Sequence, residues 1–220
     1  MLTRLTACAG LALLVSACGN AQSAAAPQPP REAPPLVAAA NDAAVARPAP
    51  SSTGVAPVTA EGLDPVRIGM TGAEALRALG TGWQADRGSG DPQSCHYLSR
   101  GEDGAEFTAY MVENGRVTNV TVQNDAPTAG RVTVVTDRGV GLGSTEAQVR
   151  AAYPDVVVEP HQYAEPPASY LTAWVRGAPS TPAGRPAPDA RGVQFVTNQD
   201  RVVTSIQAGG PSILYVEGCS

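Results

Sequence analysis

The sequence predicts an α+β fold in which two units, each a short helix followed by an antiparallel meander, share one sheet behind a disordered Ala/Pro-rich tether. Three observations predict this fold. A long segment rich in alanine and proline carries no aromatic residue, a helix-start pattern occurs twice after it, and alternating apolar segments follow each helix start. The helices and strands therefore belong to the second part of the chain.

Residues 1–17 have the pattern of a secretion signal. Arg4 supplies a positive charge, and the apolar run Leu5 to Val15 is shorter than the roughly 20 residues that a membrane span needs. The end of this run, Val15-Ser16-Ala17-Cys18, resembles the lipobox of bacterial lipoproteins. The resemblance implies that the Cys18 sulfur carries a diacyl group and that its nitrogen is acylated, with palmitate-type chains. An ordinary cleaved signal with an incidental cysteine is the alternative.

Lipidation at Cys18 would anchor the chain to a bilayer, because two or more acyl chains hold a protein firmly. Gly19 follows the cysteine, where the sorting rule of Gram-negative lipoproteins places Asp for inner-membrane retention. The resemblance therefore implies an outer-membrane lipoprotein that faces the periplasm. Inner-membrane retention and surface exposure remain open.

Residues 18–62 form the tether in this interpretation. They consist mostly of Ala, Pro, Ser and Gln, as in "AAAPQPPREAPP". Such a segment buries too little apolar surface to offset the entropy of ordering, so we expect a disordered linker. Recognition of the proline-rich stretches by a partner is the alternative.

The charge of the chain argues against several classes of partner. Without residues 1–17 it has 14 basic and 20 acidic side chains, a net charge of −6, which disfavours nucleic acid. All basic residues are arginine, so catalysis through a lysine Schiff base and a phosphate-loop lysine are excluded. We expect no nucleotide and no cofactor, and the partners are the membrane, through the lipid, and an envelope protein.

The folded domain is predicted to span residues 63–220, with one repeat at about 63–130 and the second at about 131–220. The segment "VRIGMTGAEALRALG" opens the first repeat and "VGLGSTEAQVRAAYP" opens the second. Thr71 is the expected N-cap of the first helix, and Ser144 or Thr145 that of the second. Gly80 and Pro154 end the helices. The apolar spacing directs one set of side chains to the core: Leu76, Leu79, Val149, Ala152 and Tyr153.

The clearest hairpin is "EFTAYMVENGRVTNVTVQ". Its Asn114-Gly115 pair suits a type I′ turn, which places Glu113 opposite Arg116 and Val112 opposite Val117. A second hairpin turns at residues 198–200. Shorter predicted strands are "CHYLSR", "RVTVVT", "DVVVE", "YLTAWVR" and "SILYVEG", and the proline-rich segment 178–191 is predicted to be an exposed loop.

The helix start "GMT…EALRALG" ahead of strands resembles the small assembly lipoprotein of the outer-membrane β-barrel machinery (BamE/SmpA) and the tandem-repeat β-lactamase-inhibitor protein fold. The resemblance covers about 15 residues in each repeat. It implies a binding or assembly module with a protein partner rather than an enzyme.

Cys95 and Cys219 are the two thiols of the folded domain. Outside the cytoplasm such a pair is expected to form a disulfide, which would fasten the last predicted strand to "CHYLS". Metal ligation is the rival, but no third and fourth ligand stands nearby in sequence, and no metal is expected.

The remaining candidates for chemistry are few. His96 and His161 are the only histidines, and we expect structural roles for both. The glycines of "DRGVGLGST" do not match a dinucleotide-binding turn. Trp83 follows a glycine in a predicted loop and is a candidate binding anchor. We assign no catalytic residue and predict a non-enzymatic binding or scaffold lipoprotein. A hydrolase of cell wall or lipid that uses His161 with a carboxylate is the alternative, and a purely structural spacer is the third.

Overall fold

The computed structural model describes residues 57–86, 94–100, 106–181 and 184–219. The signal segment, Cys18 and the tether up to residue 56 lie outside the described residues. Residues 57–62, which the sequence analysis assigns to the tether, belong to the fold. Val58 is fully buried, and its backbone N–H donates to the carbonyl of Val135 at 2.9 Å. The predicted boundary at residue 63 is therefore too late, because this segment has no periodic pattern that marks it as structured.

The described residues form a mainly β structure with two short helices. In chain order the elements are β1 (Gly62–Leu63), β2 (Val66–Arg67), α1 (Gly72–Leu79), β3 (Trp83–Asp86), β4 (Cys95–Arg100), β5 (Phe107–Glu113), β6 (Arg116–Gln123), β7 (Thr133–Val135), β8 (Gly141–Leu142), α2 (Glu146–Ala152), β9 (Val157–Pro160), β10 (Ser169–Arg176), β11 (Arg191–Thr197), β12 (Val203–Gly209) and a 3₁₀ turn (Pro211–Leu214).

Eight of these strands form one antiparallel sheet in the order β3-β4-β5-β6-β12-β11-β10-β9. The sheet consists of two groups of strands, β3 to β6 and β9 to β12, and within each group every strand pairs with the next strand in sequence. The two groups meet where β6 pairs with β12 in the centre. The edges of the sheet are β3 and β9. The pairs β1–β2 and β7–β8 form two separate small ladders.

Both helices begin as the sequence predicts. Thr71 and Thr145 are the N-caps, and each accepts a hydrogen bond from the third helical N–H while the side chain at that position bonds back to the cap. Gly80 caps the end of α1, and Pro154 follows the C-cap of α2. Of the five predicted side chains, Val149 and Tyr153 are buried in the core, and Leu76, Leu79 and Ala152 pack against it partly buried. The core also includes Ala75 and Val58.

The two faces of the sheet differ in chemistry. On the helix face, a row of buried apolar side chains crosses six paired strands: Leu98, Tyr110, Val120, Ala208, Val193 and Ala173. On the opposite face the neighbouring row is mostly polar: Ser99, Ala109, Thr121, Gln207, Gln194 and Thr172. Because side chains alternate along a strand, the strands pack one face against the helices and present the other.

The C-terminal residues 211–219 cross this second face, and we call them the strap and the face they cross the strap face. The prediction that "SILYVEG" is a strand is wrong: Pro211–Leu214 is a 3₁₀ turn, and no residue of the strap pairs in the sheet. Pro211 at the start of the turn fixes a helical φ. Ile213 is fully buried beside Gly192, where an added Cβ would come within 3.2 Å of Ile213 Cδ1. Ile213 thus packs on the sheet, and the strap does not join it as a strand.

The central hairpin is confirmed in register. Glu113 pairs with Arg116 and Val112 with Val117, around a turn in which Asn114 and Gly115 have φ values of 50° and 76°. These positive φ values are those that a type I′ turn requires. The short strand β3 was not predicted, because three of its four side chains are exposed and it shows no buried pattern.

Candidate functional site

A cleft of about 590 Å³ lies on the strap face. Its floor is a single row of paired residues that crosses the second half of the sheet from β6 to β9: Gln123, Ser205, Val196, Tyr170 and Glu159. The adjacent row adds Gln207 and Gln194. Its size lies within the range of about 300–1,000 Å³ typical of ligand pockets.

Two chain segments wall the cleft. One is the loop that follows β9, with His161, Gln162 and Tyr163, and the other is the middle of the strap, with Leu214, Tyr215 and Val216. The Tyr163 hydroxyl donates a hydrogen bond to the Glu217 carboxylate, which joins the loop to the strap. The shape of the cleft therefore depends on the position of the strap.

The strap is fastened at its far end. Cys219 is joined by a disulfide to Cys95 on β4, with their Cα atoms 5.4 Å apart, and its backbone N–H donates to the Tyr97 hydroxyl at 3.1 Å. Near its start, the Asn119 side-chain amide donates to the carbonyl of Ser212 at 3.3 Å. Between these points Tyr215 and Val216 remain exposed, at 47% and 42%. The disulfide is thus the main tie on the second half of the strap.

Internal hydrogen bonds hold the polar side chains of the floor. Gln194 Nε2 donates to Thr172 Oγ1 at 3.0 Å, and Asn119 Nδ2 donates to Gln207 Oε1 at 3.1 Å. At the β6 end, Gln123 Nε2 donates to Asp125 Oδ1 at 2.6 Å. Since an amide has both a donor and an acceptor end, each of these bonds orients a glutamine without using its whole hydrogen-bonding capacity.

His161 stands at the wall of the cleft in a fixed orientation. Its ring stacks on Tyr170, with centroids 4.6 Å apart and planes 19° from parallel. Its Nδ1 accepts the backbone N–H groups of Tyr163 at 3.1 Å and Ala164 at 3.0 Å, so a neutral ring carries its proton on Nε2. Among the described residues no carboxylate hydrogen-bonds to this ring. The contacts of His161 thus shape the turn after β9, and no carboxylate orients it as a catalytic base.

The other predicted residues lie away from the cleft. Trp83 is the first residue of β3, partly buried on the helix face, with its ring 5.5 Å from that of Tyr110. His96 lies on β4, and its Nε2 is 3.7 Å from the position of a Cβ added to Gly72 in α1. Cys95 lies on the strap face, but on the first half of the sheet. Only His161 among the singled-out residues lines the cleft.

The surroundings of three tyrosines raise the pKa of their hydroxyl groups. Burial raises the pKa of Tyr110 and of Tyr153 to about 12, and both lie in the core on the helix face. The negative charge of Glu113, followed by partial burial, raises the pKa of Tyr215. The cleft tyrosine Tyr215 is therefore neutral at physiological pH and offers a ring and a hydroxyl group.

The described residues contain neither a metal-binding cluster nor a membrane-spanning helix. No group of three or more His, Cys, Asp or Glu side chains could hold a metal ion there. None of the helices in the described part is long and apolar enough to cross a membrane.

Sequence reasoning missed the cleft because its floor comes from five strands, of which β6 is distant in sequence from the other four. Each of its polar residues occupies an alternate position of a strand, which by itself indicates only a solvated face. The available signal was the glutamine- and threonine-rich polar face shared by "RVTNVTVQ" and "VTSIQAG".

Comparison with protein-family models, with curated proteins and with solved structures finds no match to this chain.

Proposed function

We propose that this protein is a non-enzymatic cell-envelope lipoprotein that binds another envelope component in the cleft of the strap face. Cys18 anchors it to the outer membrane, facing the periplasm, and the residues that follow tether the folded part. The observation that carries the binding function is the cleft itself, which combines a floor of oriented polar groups with exposed aromatic rings at its rim. Such concave sites with convergent polar groups are typical of ligand binding.

We further propose that the folded part consists of two copies of one helix-and-meander unit. Each helix start hydrogen-bonds to the turn of its own hairpin in the same pattern, in three matched pairs of backbone bonds. In the first unit, Gly69 N donates to Val117 O, Val117 N to Met70 O, and Gly72 N to Gly115 O. In the second unit the corresponding bonds, in the same order, are Gly143 N to Val203 O, Val203 N to Ser144 O, and Glu146 N to Arg201 O. The last strands of the two units, β6 and β12, pair and create one broad sheet. The strap has no counterpart in the first unit.

The surroundings of His161 favour binding over hydrolysis. A hydrolase would use His161 and Glu159, which line the same cleft. A catalytic histidine needs a partner that orients it and a free nitrogen aimed at the reacting group. In His161 the orienting contacts are two backbone N–H groups and the ring of Tyr170, which supports a structural role.

Two kinds of variant separate these functions. In a deletion strain complemented with the full chain, His96→Ala and His161→Asn are each expected to preserve complementation, provided that the variant melts as the wild type does. The asparagine side-chain oxygen can accept the N–H groups of Tyr163 and Ala164 in place of Nδ1, whereas the imidazole Nε2 that a catalytic base would use is lost. Shortening the tether between Ala24 and Pro57 is expected to weaken the complementation, because the domain then samples less of the space around its partner. A Gly/Ser segment of the original length should restore it.

The opposite pattern would contradict the binding function. Loss of complementation with His161→Asn at unchanged melting temperature, together with indifference to tether length, would favour the hydrolase.

A further inference from the structure

The charged side chains that line the cleft favour neutral or cationic ligands over anions. The described residues that line it include the carboxylates of Asp125 and Glu159 but no arginine, and the chain contains no lysine. A phosphate or carboxylate ligand would lose its hydration next to two negative charges without an arginine or lysine to compensate them. An anionic ligand is therefore disfavoured.

The floor offers neutral hydrogen-bonding groups in fixed positions. Gln194 uses its amide nitrogen for Thr172, and Gln207 uses its amide oxygen for Asn119. Among the described residues, this leaves an acceptor on Gln194 and donors on Gln207, on neighbouring strands at paired positions. A ligand hydroxyl group, which both donates and accepts, matches such an alternation.

The rim offers apolar ring surface. Tyr163 is 63% exposed and Tyr215 is 47% exposed, and they belong to the two chain segments that wall the cleft. An exposed tyrosine ring presents an apolar face with a polar edge, and it loses little conformational entropy when a ligand covers it. A matching ligand has apolar faces towards the rings and hydroxyl groups towards the floor.

We infer that the cleft binds a neutral, hydroxyl-rich ligand, namely a segment of a glycan chain. A saccharide ring has this combination of C–H faces and hydroxyl edges. The inference rests on the proposed binding function and specifies its ligand. A cationic amine is the competing class, since the cleft carries two carboxylates. The neutral amides and hydroxyl groups outnumber these, and Asp125 already accepts a hydrogen bond from Gln123.

The test uses the full chain in detergent and three neutral tetrasaccharides, built from N-acetylglucosamine, glucose and mannose. The polyamine spermidine and a galacturonate tetramer serve as the cationic and anionic probes. NMR shifts of the side-chain amides of Gln123, Gln194 and Gln207 report occupancy of the floor. We expect saturable shifts at these amides with at least one neutral tetrasaccharide at millimolar concentration, and none with the galacturonate tetramer.

Variants connect the binding to the cleft. Tyr163→Ala is expected to weaken the saccharide affinity by roughly tenfold or more, as removal of an aromatic anchor does. Tyr163→Phe, which keeps the ring, should retain most of the affinity. Val175→Ala removes an exposed side chain outside the cleft and should change nothing.

The outcomes separate this inference from the proposed function. Absence of floor shifts with all three neutral tetrasaccharides would overturn the inference, and so would saturable binding of spermidine or galacturonate in their place. Either result leaves the cleft as a site for another component. The proposed binding function itself would be contradicted only if the cleft were found unoccupied in native envelopes.

Discussion

Replacing Cys95 and Cys219 together with serine is expected to lower the free energy of unfolding by up to about 5 kcal/mol and to free the second half of the strap. The two residues are 124 positions apart, so the disulfide closes a very long loop in the unfolded chain. In the loop-entropy account, such a closure removes much of the freedom that unfolding would gain. The effect is large compared with the total stability of a domain of this size.

The strap should respond unevenly to this change. The 3₁₀ turn stays on the sheet because Ile213 is fully buried, whereas Tyr215 and Val216 have exposed side chains. Without the disulfide, residues 215–219 keep little more than the Cys219–Tyr97 and Tyr163–Glu217 hydrogen bonds. Amide hydrogen exchange should therefore accelerate in this segment far more than in the 3₁₀ turn.

Denaturant unfolding and hydrogen exchange check both parts of this prediction. Reduction of the wild-type chain provides the control, because it should reproduce the loss of stability while the double serine variant no longer responds to reductant. An unchanged unfolding midpoint with two free thiols in the unreduced wild-type protein would contradict the account.

Cys18→Ser is expected to release the protein from membranes completely. Each buried methylene of an acyl chain contributes about 0.8 kcal/mol to membrane binding, so two or three chains are enough to retain a protein at a membrane. Serine offers no thiol for the acyl transfer. Fractionation of cells and labelling with a palmitate analogue measure the outcome.

Cys8→Ser provides a matched control for the lipid anchor. This cysteine lies in the same apolar segment, upstream of the proposed cleavage site, so its replacement should leave both labelling and membrane retention intact. Continued membrane retention of the Cys18→Ser variant would refute the anchor.

Local patterns predicted the parts of the fold that local physics decides. The Asn114-Gly115 pair adopts the positive φ values that the central turn requires. The turn then sets the register, with Glu113 opposite Arg116. Thr71 likewise marks its helix start through a side-chain bond three residues ahead. Each of these signals lies within a few residues of the feature it specifies.

Features that depend on distant contacts were not predictable in this way. The apolar run of the strap resembles a strand, and only the sheet beneath it, with Gly192 making room for Ile213, shows that it packs flat instead. Val58 lies in a stretch without periodicity, and its burial depends on a bond to Val135. The cleft depends on the same kind of distant contact, since its floor requires the pairing of β6 with β12.

The most direct measurement of the central claim is oxidative footprinting of the cleft rim in native envelopes and in the purified full chain. If the cleft holds an envelope component, Tyr163 and Tyr215 should be oxidised much less in native envelopes than in the purified protein. Trp174 and Val175, which lie outside the cleft, should be oxidised equally in both. Equal oxidation of Tyr163 and Tyr215 in the two samples would show an empty cleft in the cell and would contradict the account.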